Sequence, residues 1–303
     1  MTYLHKLFIF TRERFDPLPY SLMIFVFWVA HYSMYLYFER QPLEGLNFQA
    51  AIYLFPMALA TFIFFFKLRL FDEVKDLESD IVNHPDRPLP RGLLKESDVF
   101  RLVYIAIATE FVLFSLYGLW AALSSALAIG YSLLMYKEFF FRRWLRSHLT
   151  VYAITHTFVV VFISIAIFTS LLKKPFIELP LNFIYFSIAG WFIFNIFEFG
   201  RKTFTSREER NGVDSYSKTF GRYGAVSLVL ITATLGMMFL SKALTLPLDG
   251  YLFFWSALLI ASGLFYALFD TANLAKIYRA ATSIYLILIY GTVMCSYIYT
   301  LLL

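Results

Sequence analysis

The chain has 303 residues, of which 60% are hydrophobic, 20% aromatic and only 16% charged; a soluble domain would carry about one quarter charged residues, so that class is excluded. Its formal charge of +5 lies in short stretches between apolar runs rather than in a separate basic domain, which argues against a nucleic-acid partner. A single cysteine, Cys295, rules out an intramolecular disulfide.

The apolar runs are long enough to cross a bilayer, which takes roughly 20 residues. In chain order they fall near 20–38, 50–68, 100–118, 121–137, 150–171, 182–199, 224–241, 250–269 and 281–302. The first follows a charged stretch and lacks a small-residue cleavage site, so it reads as a transmembrane helix rather than a signal peptide. Nine helices would place the termini on opposite sides of the membrane. All but four of the 26 Lys and Arg fall on the side of the N-terminus; the four are Arg40, Lys173, Lys174 and Lys242. The positive-inside rule then predicts a cytoplasmic N-terminus and an outer C-terminus, with the basic loops facing anionic lipid headgroups. The polar connections after the second and sixth runs are four helices apart, as in a duplicated four-helix unit, though no residue-level repeat accompanies that spacing.

The first of these connections, residues 67–95, reads KLRLFDEVKDLESDIVNHPDRPLPRGLLK. Asp72, Asp76 and Asp80 fall at i, i+4 and i+8, one stripe on a helix, with Glu73 at its border. Like charges so spaced repel, and a divalent cation removes the conflict. Mg²⁺ suits such a site because it takes one or two carboxylates and completes its shell with water and phosphate oxygens. In Arg87-Pro88-Leu89-Pro90-Arg91-Gly92 the prolines stiffen the backbone and hold two guanidinium groups, the side chain best shaped for phosphate, near the stripe. The plain alternative is a solvated acidic face.

The segment Asp72–Asp80 resembles the NDxxDxxxD signature of the UbiA superfamily of intramembrane prenyltransferases. Asp72 stands at the Asn position, Glu73 at the first Asp, and Asp76 and Asp80 match; RPLPRG resembles the family's RPLPSG. The resemblance implies an all-α bundle of nine transmembrane helices, one prenyltransferase-like domain over 1–303, with a central cavity open to the cytoplasmic side. It implies that Asp72, Glu73, Asp76 and Asp80 hold Mg²⁺. The implied substrate is an isoprenyl diphosphate or another lipid phosphate, and the expected location is a bacterial inner membrane.

The second connection departs from that family. Its signature is YDxxDxxxD followed by GxxS, and here residues 197–217 read FEFGRKTFTSREERNGVDSYS. Gly212-Val213-Asp214-Ser215 resembles the tail and Glu208 the last acid, but Phe204 and Arg201 stand at the other acidic positions. Glu198 is the remaining carboxylate near the membrane end, with Arg201, Lys202 and Arg207 between the two glutamates. A guanidinium or an ammonium can neutralise phosphate where a second metal would otherwise do so; a basic loop on the inner side is the plain alternative.

By this reading Asp72, Asp76, Asp80, Glu198 and Glu208 are catalytic candidates. Arg87, Arg91, Lys137, Arg201, Lys202, Asn195, Tyr152 and His156 are candidates for substrate binding. Asn195 lies one turn before Glu198, and His148, Tyr152 and His156 form an i, i+4, i+8 stripe on the fifth run, with one of them able to accept a proton. Lys137 ends the fourth run, where the family often has a basic residue near the diphosphate. Glu110 stands within the third run, where an ionisable group is costly and points to function or to a helix–helix contact. The expected activity is Mg²⁺-dependent ionisation of an isoprenyl diphosphate and prenyl transfer to an acceptor. Three alternatives remain: a membrane terpene cyclase, a lipid-phosphate group transferase and a non-catalytic membrane transporter.

Overall fold

A computed structural model describes residues 2–39, 48–210, 214–244 and 249–302. The described residues form helices and no strands, as the bilayer requires of a chain that must satisfy its backbone internally. A short helix α1 (Tyr3–Arg14) is capped by Thr2, whose hydroxyl accepts from the His5 amide. Asp16 then caps α2 (Pro17–Phe38), which has proline in its first turn, where no amide is needed. The long α3 (Phe48–Lys75) and short α4 (Leu77–Asn83) follow, broken at Asp76. A backbone–carboxylate exchange between Lys95 and Asp98 opens α5 (Glu96–Ser115). A tight turn at Gly118, with φ of +107° that suits glycine, leads into α6 (Leu119–Tyr136).

Next come α7 (Arg142–Arg146), α8 (Leu149–Thr157), α9 (Val159–Leu172) and α10 (Leu181–Arg201). The chain ends with α11 (Tyr216–Ala243), α12 (Asp249–Phe269) and α13 (Ala272–Leu302). Among the described residues, eight helical segments are long and apolar enough to cross a membrane. Helix α5 is the ninth long helix and is not one of these, because it carries too many charged residues, Asp98, Arg101 and Glu110 among them.

Several expected boundaries move. The run 150–171 divides at Phe158 into α8 and α9, and side chains of neighbouring helices bond the carbonyls near the break. Trp191 Nε1 donates to Ile154 O at 2.9 Å, and the Tyr131 hydroxyl donates to Thr155 O at 2.7 Å. The run 224–241 begins at Tyr216, since Ser215 caps that helix by accepting from the Lys218 amide, and an irregular turn at Gly221 is absorbed within it. The last run begins at Ala272 rather than 281, adding a polar extension that carries Arg279.

Helix α10 lies at the centre, packed on α9, α11 and α13, and is the most deeply buried of the eight spans, whereas the peripheral α12 is the least. It can approach α13 closely at Gly200, where a β-carbon would overlap Thr282. The core is aromatic: Phe27, Phe65, Phe194 and Tyr290 meet edge to face or stacked. Inside it, His31 Nδ1–H donates to Phe27 O at 2.7 Å while Nε2 accepts from the Ser164 hydroxyl at 2.9 Å, so this buried imidazole is fully bonded.

Candidate functional site

The first and second polar connections meet at one end of the bundle, where α3 and α4 carry the acidic stripe and α10 ends. The stripe is not one continuous helix. Asp76 occupies the joint between α3 and α4, although the hydrogen bonds Asp76 N to Asp72 O, 2.9 Å, and Asp80 N to Asp76 O, 2.8 Å, carry the helical spacing through it. Helix formation therefore sets the order of the three carboxylates, and the joint sets their orientation.

Their partners differ. Asp72 accepts from Lys75 Nζ at 3.2 Å and remains 40% exposed. Asp80 is buried and accepts from Arg87 at 2.5 Å, so the proline-stiffened loop closes on the end of the stripe. The Asp76 carboxylate accepts no hydrogen bond and forms no ion pair among the described residues. Burial, followed by the charges of Asp72 and Asp80, pushes its carboxyl above the ordinary range, with Lys75 and Arg146 opposing.

Glu73 stands apart from the stripe. It is buried at 2% exposure and ion-paired to both Arg14, 2.6 Å away on α1, and Arg69 one turn earlier. Its role in the structure is to dock α1 against α3, because an uncompensated buried carboxylate would be expensive. Burial, and after it the Arg69 charge, lowers the Arg14 pKa, while Glu73 keeps the guanidinium charged.

The second connection answers from across the site. Glu198 Oε2 pairs with Arg201 at 2.6 Å and Oε1 with Lys202 at 2.9 Å. Asp72 lies within the electrostatic reach of Arg201, and Asp72, Lys75 and Glu198 are charged neighbours of His156. Lys75 Nζ stands 5.2 Å from the centre of the Tyr152 ring, which stacks on His156 at 3.8 Å. His156 Nδ1–H donates to Tyr152 O at 2.7 Å, leaving Nε2 buried without a partner. Asp72, Lys75, Tyr152, His156, Glu198, Arg201 and Lys202 thus form one polar cluster.

Other candidates fall outside it. Glu208 pairs with Arg279 of α13 at 2.8 Å and accepts from the Thr205 amide at 3.0 Å. The Arg279 hydrogen bonds, foremost, hold its carboxyl down at about 2. Arg91 reaches Glu13 at 2.8 Å, Lys137 is exposed over the Tyr136 ring, and Asn195 joins Trp191 O to the Thr157 hydroxyl between α10 and α8. His148 precedes α8 and stacks on Trp144 at 4.4 Å, so it does not extend the Tyr152–His156 face. Gly212 and Val213 lie outside the described residues. A void of about 580 Å³ lies at the loop 204–210, bounded by His84 and Arg279 rather than by the stripe.

Two residues have roles that sequence reasoning missed. Lys75 enters the polar cluster, although in the sequence it counts only as one more basic residue of an inner loop. Lys67 is the partner of Glu110: the two meet at 2.6 Å with both side chains fully buried, joining α3 to α5. Since 43 residues separate them, no local spacing announces the pair.

Among the described residues no three His, Cys, Asp or Glu side chains are grouped to enclose a metal. The donor set nevertheless fits magnesium. Asp76 is a partnerless carboxylate crowded by like charge, Asp72 is half open beside it, and one or two carboxylates are what this ion takes from a protein when phosphate completes its shell.

Comparison with known proteins agrees with this architecture. Residues 22–289 match the family described as the UbiA prenyltransferase family. A UbiA homologue from Aeropyrum pernix K1 superposes with a TM-score of 0.57 at 18% identity, over 93% of this chain and 98% of that one. A digeranylgeranylglyceryl phosphate synthase superposes with a TM-score of 0.58 at 15% identity, over 97% and 99%. No curated protein matches the sequence significantly. Identities this low speak for the fold alone, whereas the family match spans most of the sequence: the chain is an integral, multi-pass membrane protein belonging to the UbiA prenyltransferase family.

Proposed function

We propose that this protein ionises an isoprenyl diphosphate in a magnesium-dependent reaction at the cytoplasmic end of the bundle and transfers the prenyl group to an acceptor. The observation that carries this reading is the unpartnered Asp76 carboxylate between Asp72 and Asp80, with Lys75 and Arg146 as its cationic neighbours and Arg201 within reach of Asp72. Asp72 and Asp76 would hold the magnesium ion, which contributes charge neutralisation at the leaving diphosphate.

The chain's own groups do the remaining work. Arg87, on the Asp80 side of the stripe, and Arg201 and Lys202, on the α10 side, bind phosphate oxygens and orient the C1–O bond. Charge placed before the bond breaks stabilises the developing anion without reorganisation, which accounts for most of the rate gain in such sites. Aromatic side chains shelter the allylic cation through their negative faces. His156 Nε2, whose tautomer is fixed by the Tyr152 carbonyl, is the group able to take the proton lost by the acceptor.

The direct test measures diphosphate release from isoprenyl diphosphates of several chain lengths, with magnesium or with chelator. Metal-dependent release that disappears in Asp76→Asn supports the reading. Folded protein supplied with membrane extract that releases none from any chain length would overturn it.

A further inference from the structure

The carboxylates of the second connection are not open in the way Asp76 is. Both oxygens of Glu208 are bonded, Oε1 by Arg279 at 2.8 Å and Oε2 by Arg279, the Thr205 amide and the Thr205 hydroxyl at 3.0 to 3.1 Å. Glu209 accepts from Ser215 at 2.6 and 2.7 Å and from Ser217 at 2.6 Å, and Ser215 in turn caps α11. Withdrawing either glutamate toward a metal would leave Arg279 with only the Thr203 carbonyl, or take from the capping Ser215 hydroxyl the carboxylate it donates to, a steep penalty for half-buried groups.

Glu198 differs in the nature of its partners. Arg201 and Lys202 stand one turn further along the same helix, 48% and 28% exposed, on long side chains free to re-aim. Arg201 is also within reach of the Asp72 charge, so it faces the first connection. A guanidinium and an ammonium together bring the same formal charge to a diphosphate as one divalent ion, and the guanidinium adds forked hydrogen bonding.

We infer that this site takes one divalent ion, held by the first connection alone, and that Arg201 and Lys202 neutralise the far side of the diphosphate where a second ion would otherwise sit. Glu198 is then a positioning residue: it holds the two cations side by side and hands them to the phosphates. This rests on the diphosphate reading above and specifies how that anion is held.

The test titrates Mn²⁺, a paramagnetic substitute for magnesium, into the full-length protein with inorganic diphosphate and counts bound ions by electron paramagnetic resonance. The expected count is one per chain, lost in Asp76→Asn and unchanged in Glu198→Gln. The double variant Arg201→Met/Lys202→Met should keep that count while weakening diphosphate binding about tenfold to a hundredfold. Arg201→Lys/Lys202→Arg should restore most of the affinity, which a purely structural role would not require. A count of two per chain, with the second ion lost in Glu198→Gln, overturns the inference and leaves diphosphate chemistry standing. Wild-type protein that binds neither ion nor diphosphate overturns both.

Discussion

The two polar connections at the end of the bundle manage their carboxylates in opposite ways. The first keeps Asp76 without a partner among its neighbours, so that burial and like charge strain it. The second ties Glu208 to Arg279 and Glu209 to two serines, so that these acids hold the loop in shape. A carboxylate conserving structure and one awaiting a ligand look alike in composition. They differ in whether donors are already in place.

The extreme of a held carboxylate is Glu110, and breaking its pair should produce the largest effect. Lys67→Met or Glu110→Leu alone leaves a buried unpaired charge and should destabilise the protein by about 3–5 kcal/mol. The double variant should recover most of that loss in thermal unfolding; equal damage in the single and double variants would rule out the pair as the cause. Next comes Asp76→Asn, which should lower metal-dependent diphosphate release by about 10²–10³ while leaving the fold intact. Because the Asp76 carboxyl is raised, the folded protein without metal should lose stability as the pH climbs through that group's titration. Asp76→Asn should flatten this limb and so raise the melting temperature at neutral pH.

Glu208→Gln should behave in the reverse sense, costing about 1.5–3 kcal/mol through the loss of charged hydrogen bonds. Its carboxyl titrates at about 2, below the ordinary range, so the stabilisation is complete above that range and fades as the pH falls toward 2. Acid unfolding of Glu208→Gln that still tracks wild type through this window would contradict the assignment. The smallest effect belongs to Arg91→Ala. Its pair with Glu13 is exposed on both sides and should contribute about 0.2–1 kcal/mol to a melting curve.

Much of this was legible beforehand, for physical reasons. A membrane span is a local property of some twenty residues, so the apolar runs mark the helices directly. The stripe Asp72–Asp76–Asp80 follows from helical spacing. Contacts made across the bundle leave no such trace. Nothing near Glu73 in the sequence points to Arg14, 59 residues away, and so the ion pair that docks α1 leaves no mark in the spacing. The break at Phe158 was hidden because the residues around it are apolar in the manner of an unbroken span.

That break also bears on how the protein is made. A straight helix leaving the translocon satisfies its own backbone and can wait in lipid for neighbours. The segment around Phe158 cannot do so in its final shape, since the Thr155 carbonyl is bonded by the Tyr131 hydroxyl of α6, while Trp191 of α10 adds a second donor to the Ile154 carbonyl that the Phe158 amide already reaches at 3.2 Å. Lipid provides no substitute donor. The interrupted form should therefore arise only once α6 and α8 have met, which makes the docking of Thr155 against Tyr131 a commitment step in biogenesis.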